Sequence, residues 1–382
     1  MMDWVTTGLI WIVEGTVAFI ASTALFDILH YLLHRWGKAN NPLLRLFASW
    51  HWVHHAFLDR KMRVHTDLTI KNVFYHILPE YLTSMAGTLV FLFVFPWQPI
   101  AALAVIRTIM LVVTIKDEGM DANHMAKQRI SGRQGLLWVG PDYHAMHHIY
   151  PDNFYSSFSN VFDLLFGTTC QISGRRFLIT GASGAFGTAI RKRIEALGGI
   201  VDTAKSGVDF GPGDYARIEQ KLAEADVLIL SHGAKSDDCW NANYVTFVDL
   251  IDRFIAAGKG RLVPPEVWAL GSEAEFHGDF GMASMVDYAA SKRAYAKHAR
   301  GYYQNADVIY RHIVPSAFTS AMGPGPMSAD LAARIALFLI RRGFCYVPVT
   351  LTTLAFWNYF RFRSLVPGPT APPTAVAGRT PV

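Results

Sequence analysis

The sequence predicts two structural classes in one chain: an all-α membrane domain, followed by an α/β domain with a doubly wound parallel sheet. Long apolar runs fill the first part, whereas after Gly174 short β-branched runs alternate with amphipathic helical stretches. Composition agrees, because the 382 residues are 51% hydrophobic and still 17% charged. Histidines supply the third observation, since most of the 15 lie before residue 150.

The first domain is expected to cross the membrane three times. One apolar run covers about Val5–Phe26, with Glu14 either a functional intramembrane charge or a helix contact. Two further spans lie within Tyr81–Ile115, separated by a turn at Pro96. The basic segment Arg35–Lys71 places that loop in the cytoplasm by the positive-inside rule. We therefore expect a retained anchor rather than a signal peptide, and an integral, multi-pass membrane protein with its sites facing the cytoplasm.

Charge and cysteine content exclude other classes of protein. The net charge of +5 is not gathered into a basic patch, so no nucleic-acid partner is expected. Three scattered cysteines (Cys170, Cys239 and Cys345) fit neither a disulfide framework nor a cysteine zinc site.

Histidine spacing is the main functional pattern. Residues three and four apart share one face of a helix, so each motif projects its imidazoles in one direction. With the spans as predicted, all motifs emerge on the same membrane side. Imidazoles crowded in this way repel as cations and cost desolvation as neutral groups, unless metal ions bind them. Neutral nitrogen ligands suit iron, zinc or copper, and two metals would share the set, namely His30-x3-His34, His51-x2-His54-His55, the isolated His124, and His144-x2-His147-His148.

These motifs, in this order, resemble the fatty acid hydroxylase/sterol desaturase superfamily over about residues 20–169. The resemblance extends to Asn153–Phe158 and Asp163–Thr168, which match that family's end signature. It implies two iron ions that activate dioxygen against a lipid C–H bond. It also departs from the family, with Met120 in place of a polar residue four before His124 and three spans where four are common. The ligands that it implies are His30, His34, His51, His54, His55, His124, His144, His147 and His148, whereas His65 matches a family histidine outside the ligand set.

A glycine-rich turn opens the second domain. Gly181, Gly184 and Gly187 follow the strand 176–179 and precede a helical pattern. Such a turn lets the backbone approach a pyrophosphate at a helix N-terminus. About a hundred residues later, Tyr288 and Lys292 share a helix face, and the ammonium is expected to lower the pKa of the phenol. A tyrosine of this kind exchanges a proton with a carbonyl or alcohol oxygen during hydride transfer.

These elements resemble the Rossmann-type short-chain dehydrogenase/reductase family over about residues 174–350. The resemblance implies catalytic Ser272, Tyr288, Lys292 and Asn243. It departs from the family at Ser231–Ala234 and at Pro315-Ser316, and the gap between Ser272 and Tyr288 is longer than usual. Lys205, where an acidic residue would favour NAD, favours NADP over NAD, although it is equally typical of a solvated lysine. The implied cofactor-binding residues are Gly181, Ser183, Gly184, Phe186, Gly187, Lys205, Tyr288 and Lys292.

Domain boundaries follow from these patterns. We expect a membrane domain at 1–169, a junction at 170–175, a dehydrogenase domain at 176–350, an aromatic and basic segment at 351–366, and a disordered tail at 367–382. The segment 351–366 is compatible with lying on the bilayer and equally with packing on its own domain.

Two fused activities are the predicted function. The first domain would hydroxylate or desaturate a lipid (sterol, fatty acyl chain or carotenoid), and the second would oxidise or reduce an alcohol or carbonyl. Electrons for dioxygen would come from a separate ferredoxin or cytochrome, because the chain has no haem, flavin or iron–sulfur motif. Two alternatives stay open at this stage. One is a conversion of aldehyde to alkane, by resemblance to plant wax-synthesis proteins, and the other is a non-catalytic nucleotide-sensing module in the second domain.

Overall fold

The computed structural model describes residues 4–133, 135, 137–235 and 238–369. Contacts divide the chain into two compact units, Met1–Ile130 with Gln134–Cys170, and Ser131–Arg133 with Gln171–Val382. The division after residue 170 falls within the expected junction. Of the predicted tail, residues 370–382 lie outside the described part of the chain.

The described part of the first unit consists of helices joined by turns and loops. A π-helical turn, Val73–Ile77, joins its third and fourth helices, and a 3-10 turn, Phe91–Phe93, follows the fourth. Its helices are α1 (Trp4–Trp36), α2 (Pro42–Phe57), α3 (Thr69–Asn72), α4 (Leu78–Val90), α5 (Trp97–Lys116), α6 (Pro141–Ile149) and α7 (Val161–Phe166).

Local sequence explains where these helices begin and how they pack. Asn41 caps α2 through its side-chain oxygen, and Pro42 takes the first position, where its missing N–H costs nothing. The buried Arg107 of α5 donates to the Ser22 hydroxyl of α1 at 2.6 Å and to the Thr88 hydroxyl of α4 at 2.9 Å. A charge buried among helices needs hydrogen-bond partners of this kind, so Arg107 ties α1, α4 and α5 together.

Among the described residues, α1 and α5 are long and apolar enough to cross a membrane. Both leave many large apolar side chains exposed, as a surface that faces lipid would. The middle span expected from the sequence differs: α4 has only 13 residues, because the helical run starts as early as Thr66 and changes to π and 3-10 geometry at its ends.

The second unit is built on a parallel sheet covered by helices. Its strands are β1 (Arg176–Thr180), β2 (Ile200–Ala204), β3 (Val227–Leu230), β4 (Glu266–Leu270), β5 (Ile309–Pro315), β6 (Phe318–Thr319), β7 (Met327–Ser328) and β8 (Tyr346–Val349). Its helices are α8 (Ala185–Ala196), α9 (Glu219–Glu224), α10 (Thr246–Ala257), α11 (Ala274–His277), α12 (Val286–Gln304), α13 (Ala329–Ile340) and α14 (Leu354–Ser364).

Six of the strands form one parallel sheet in the order β2–β1–β3–β4–β5–β8. Every residue of β3 and of β5 is buried, as expected for central strands covered on both faces. The order reverses between β1 and β3, which makes their carboxyl ends the switch point where such sheets bind ligands. The predicted doubly wound Rossmann-type fold is therefore confirmed.

The connection between β2 and β3 contains little regular structure. Helix α9 covers only Glu219–Glu224, and Tyr215 before it donates its hydroxyl to Asp249 at 2.7 Å. In the described part of the chain β2 is the edge strand, since residues 205–218 contain glycine turns rather than a further strand of this sheet.

Candidate metal centre and cofactor site

Four separate elements of the first unit carry the nine predicted histidines. His30 and His34 lie in the last two turns of α1, and His124 lies in the loop that follows α5. Spacings of three and four residues then place each set on one helix face. The other two sets are His51, His54 and His55 on α2, and His144, His147 and His148 on α6.

All nine histidines come together in two groups. Within each group, every histidine contributes one ring nitrogen, and these nitrogens all lie within 4.8 Å of one another. In the larger group, the Nε2 atom of His34 lies 2.9 Å from that of His51 and 3.2 Å from that of His55. The groups are His30, His34, His51, His55 and His147, and His54, His124, His144 and His148.

The ring nitrogens show how the rings are oriented. Several Nδ1 atoms lie within hydrogen-bond distance of oxygens outside the groups. The Nδ1 of His30 lies 3.0 Å from the Tyr155 carbonyl oxygen, and the Nδ1 of His148 lies 2.8 Å from the Leu58 carbonyl oxygen. The Nδ1 of His54 lies 3.1 Å from the side-chain oxygen of Asn72. Such a bond holds the proton on Nδ1 and leaves the Nε2 lone pair free. Within the described residues, the buried Nε2 atoms of His30, His54, His124 and His148 have no hydrogen-bond partner.

Burial also sets the protonation state. Desolvation, and after it the neighbouring His148, lowers the pKa of His147 to about 3. A neutral imidazole is the form that binds a metal ion. Burial likewise lowers the pKa of His54 and His148, whereas at His124 the effect of burial is outweighed by Asp121, which raises the pKa. Converging nitrogen donors, most of them neutral and several with unpartnered lone pairs, therefore fit two metal ions.

His76 is a member of this cluster that the sequence reasoning missed. Its buried ring stacks on His54 with centroids 3.6 Å apart, and its centroid lies 5.4 Å from that of His51 and 5.8 Å from that of His124. The π-helical turn Val73–Ile77 places it there, and such turns often mark functional sites. The sequence feature that could have indicated His76 is its spacing of four residues from Glu80, at the start of an apolar helix.

Two further features complete the surroundings of the centre. Asp121 lies 2.9 Å from the Nδ1 atom of His124 and takes a supporting role that Met120 cannot. A cavity of about 90 Å³ beside His124 is lined by Glu80 and Arg107, among others. His65, which the sequence analysis set aside, stays outside both groups and pairs with Asp59 at 3.2 Å.

The second unit has a cavity of about 630 Å³ at the switch point of the sheet. Of the predicted residues, Gly184, Phe186, Asn243, Ser272, Tyr288 and Lys292 line it, whereas Gly181, Ser183, Gly187 and Lys205 do not. The glycines act through close packing instead. Gly181 has a φ of +69°, and a Cβ there would lie 2.5 Å from the His232 nitrogen. Lys205 is exposed directly after β2, and its backbone N–H donates to Asp209 at 2.8 Å.

The four predicted catalytic side chains meet in this cavity. Lys292 donates to the Leu270 carbonyl at 2.8 Å, and Asn243 donates to the Ala234 carbonyl at 2.8 Å. Burial is the largest effect on Tyr288 and raises its pKa, while a hydrogen bond with Ser272 lowers it. The expected lowering by Lys292 is therefore wrong, since burial dominates. Burial also lowers the pKa of Lys292 itself to about 8.

His232 explains the unusual sequence at the end of β3. Its ring nitrogens lie 2.7 Å from the Thr180 hydroxyl and 2.9 Å from the Thr246 hydroxyl. Burial, with Lys292 next, lowers the pKa of His232 to about 3, so the ring is neutral. A neutral imidazole thus links β1, β3 and α10 beneath the cavity.

Glu275 is a second residue that the sequence reasoning missed. It is 2% exposed and accepts a hydrogen bond from the backbone N–H of Ser272 at 2.9 Å. His312 of β5 donates to it at 3.1 Å, and Asn358 of α14 donates at 3.2 Å. The carboxylate therefore fixes Ser272 from behind, and the spacing Ser272-x-x-Glu275 at the start of α11, typical of a capping box, could have indicated this contact.

Comparisons with known proteins agree with this two-part organisation. Residues 16–168 match the family model of fatty acid hydroxylase. A monoglucosyldiacylglycerol epimerase from Synechocystis sp. is 25% identical, and the match covers 86% of this chain and 89% of that protein.

Solved structures resemble the second unit. A short-chain dehydrogenase from Burkholderia cenocepacia in complex with NADP is 16% identical, with a TM-score of 0.42, over 51% of this chain and 96% of its own. Another, from Sphingobium yanoikuyae with NADPH, is 19% identical, with a TM-score of 0.40, over 49% and 92%. The chain's own sheet order and glycine turn establish its fold.

Residues 16–168 are thus similar to the fatty acid hydroxylase family. The fatty acid hydroxylase family is membrane-associated, and this unit has two helices able to span a bilayer. The chain therefore joins a part similar to that family to a unit with a Rossmann-type fold.

Proposed function

We propose that the protein is an integral membrane enzyme with two activities. The first unit performs an O2-dependent hydroxylation or desaturation of a lipid, and the second performs an NAD(P)-dependent oxidation or reduction of an alcohol or carbonyl. The observation that carries the first half is the pair of histidine groups with buried, unpartnered Nε2 atoms. Two iron ions held there would supply the activation of dioxygen.

The residues of the first unit hold and orient this centre. Asp121, Asn72 and the backbone carbonyls fix the rings from outside, so the imidazoles need little reorganisation to bind metal. The substrate is a lipid, with sterol, fatty acyl chain and carotenoid as candidates. A separate carrier, such as a ferredoxin or cytochrome, would deliver the electrons.

In the second unit, Tyr288 is the proposed proton donor and acceptor for the substrate oxygen. Ser272 holds that oxygen, Lys292 binds the cofactor beside it, and Asn243 braces the loop at Ala234. Gly181, Ser183, Gly184, Phe186 and Gly187 shape the pyrophosphate site, where the bound dinucleotide would supply hydride transfer. Lys205, exposed at the end of β2, favours NADP because its ammonium can pair with a 2′-phosphate.

A second candidate function is the epimerisation of a glycolipid sugar. The similarity to a monoglucosyldiacylglycerol epimerase over most of both chains favours it. Epimerisation through a ketone oxidises a sugar hydroxyl and reduces it again from the other face, and bound NAD(P)+ would accept the hydride in the first half and return it in the second, so no net oxidant is needed. Tyr288 would take up the hydroxyl proton in the first step and return it in the second.

Lipid profiling of an expressing host, with 18O2 as the gas, tests both candidates. Wild type should produce a lipid with added 18O or a new double bond. His147→Ala should abolish this product, and Tyr288→Phe should leave the hydroxylated lipid unprocessed. The oxygen-dependent function would be contradicted if the wild-type protein bound iron but left the non-sugar part of the lipids unchanged.

The epimerase makes a different prediction. A glycolipid with one inverted sugar carbon should form even when dioxygen is excluded, and the Tyr288→Phe variant should not form it. A matched variant, His65→Ala, should behave as wild type in both cases, because His65 lies outside both histidine groups.

A further inference from the structure

The last helix of the second unit, α14 (Leu354–Ser364), has two contrasting faces. Ala355, Asn358 and Phe362 are at most 2% exposed and pack into the unit. On the other side Phe356, Trp357 and Phe360 are 52%, 63% and 66% exposed. We call these three exposed side chains the aromatic face. Of the two expectations for the segment 351–366, packing on its own domain describes the buried face of α14. The aromatic face has no partner among the described residues, so contact with a bilayer stays open for it.

The helix is held firmly in this orientation. Asn358 donates to Glu275 at 3.2 Å and to the Tyr346 hydroxyl at 3.0 Å, and Arg361 bonds to the Glu275 carbonyl. Phe362 stacks on His312 with ring centroids 4.7 Å apart. Because these contacts are buried, α14 cannot rotate to hide its aromatic face without losing them.

The charge of α14 suits a lipid surface. The helix has no acidic residue, and Arg361 and Arg363 lie in its last turn. Aromatic side chains with arginines beside them are typical of helices that lie in the headgroup region, where the rings enter the interface and the cations meet anionic lipid. A contact with an acidic protein surface would not require three neighbouring exposed aromatic rings.

The cavity that contains Tyr288 has an apolar mouth at the loop that follows α11. Helix α11, to which α14 is bonded, leads into a loop where Phe280 is 65% and Met282 48% exposed. Both side chains line the cavity that contains Tyr288. The apolar mouth and the aromatic face therefore belong to neighbouring elements, and a lipid could pass from one to the other.

We propose that the aromatic face of α14 rests in the headgroup layer of an anionic bilayer and presents the dehydrogenase cavity to membrane lipids. The proposal relies on the membrane attachment given under Proposed function, and not on either chemistry. The apolar helices of the first unit would tether the second unit to a bilayer through the chain, which makes even a weak surface contact effective.

The test uses the full chain in nanodiscs, with an environment-sensitive fluorophore on Trp357→Cys and with Cys345 replaced by Ser. The matched control is Lys192→Cys on α8, which is exposed but carried by a different helix. Quenchers attached to lipid acyl chains should reduce the emission at position 357 at least about twofold more than at position 192. The effect should weaken when phosphatidylglycerol is replaced by phosphatidylcholine, since the arginines lose their partners.

Equal quenching at both positions would overturn the proposal. The proposal would also be overturned if, in discs that hold two chains, the emission of the fluorophore at position 357 shifted to the blue but was not quenched by the lipid-attached quenchers. That result would show that a second copy of the chain, and not lipid, covers the aromatic face. Co-sedimentation of both labelled chains with membranes checks attachment independently, so a failure of the proposed localisation is recognised separately.

A functional arm sharpens the result. Trp357→Ser combined with Phe360→Ser should leave the reduction of a small water-soluble ketone within about twofold of wild type. It should slow the turnover of a carbonyl lipid embedded in the disc about tenfold through a higher apparent KM. Equal rates on the embedded lipid would contradict the proposal.

Discussion

The histidine groups of the first unit and the Ser272–Tyr288–Lys292 site of the second unit differ in how their polar atoms are satisfied. In the first, four buried Nε2 atoms of His30, His54, His124 and His148 have no partner in the described structure. In the second, Lys292, Asn243 and Ser272 already bond to the protein. A buried polar atom without a partner costs on the order of 1–3 kcal/mol. The metal centre is thus completed by its ligand, whereas the cofactor site is organised in advance.

Removing one histidine should give the largest effect and test that difference directly. His54→Gln is expected to lower metal affinity on the order of 100-fold, while ketone reduction by the second unit stays within about twofold, since the units are separately compact. Metal content by mass spectrometry and a ketone reductase assay measure the two. The control His65→Gln should keep its metal. If His54→Gln bound two metal ions normally, the assignment of ligands would be wrong.

An intermediate effect is expected in the pH dependence of the second unit. The pKa of Lys292 is lowered from 10.5 to about 8 by burial, so the ammonium loses its proton as pH rises past about 8. The kcat/KM of ketone reduction should then fall about fivefold between pH 8 and pH 9. Lys292→Arg should be slower throughout but flat across this range, because a guanidinium stays charged. A wild-type profile flat to pH 10 would contradict this reading.

The same shift predicts a change in stability with a defined sign. Between pH 8 and 10.5 the unfolded chain binds more protons at Lys292 than the folded chain does. The free energy of unfolding therefore gains from this group as pH rises through that window. Urea unfolding of wild type and Lys292→Met at pH 7.5 and pH 10 measures it, and the difference between the two proteins should shift in favour of wild type at pH 10.

The smallest effect should come from Glu275, which acts only through other residues. Glu275→Gln removes a charge that raises the pKa of Lys292, so the alkaline limb of the pH profile should move below pH 8. We expect kcat to fall about threefold with the cofactor KM unchanged, since the uncharged amide oxygen of glutamine is a weaker acceptor for the Ser272 N–H. An unmoved alkaline limb would reduce Glu275 to a purely structural role.

Much of both sites was predictable because their residues occur in local patterns. His51, His54 and His55 share a helix face by spacing alone, and Tyr288 and Lys292 do the same. Residues that act across the fold were not predictable in this way. His76 depends on a π-helical turn, and Glu275 depends on contacts with His312 and Asn358, which lie 37 and 83 residues away in the chain.

The sequence by itself determined the two fold classes, the nine clustered histidines and the glycine turn, because each depends on helical or strand spacing within a short segment. Only the tertiary structure decided how the nine histidines divide into two groups, that burial raises the pKa of Tyr288, and which face of α14 stays exposed. Distances between separate elements and access to water are properties of packing, and no local spacing contains them.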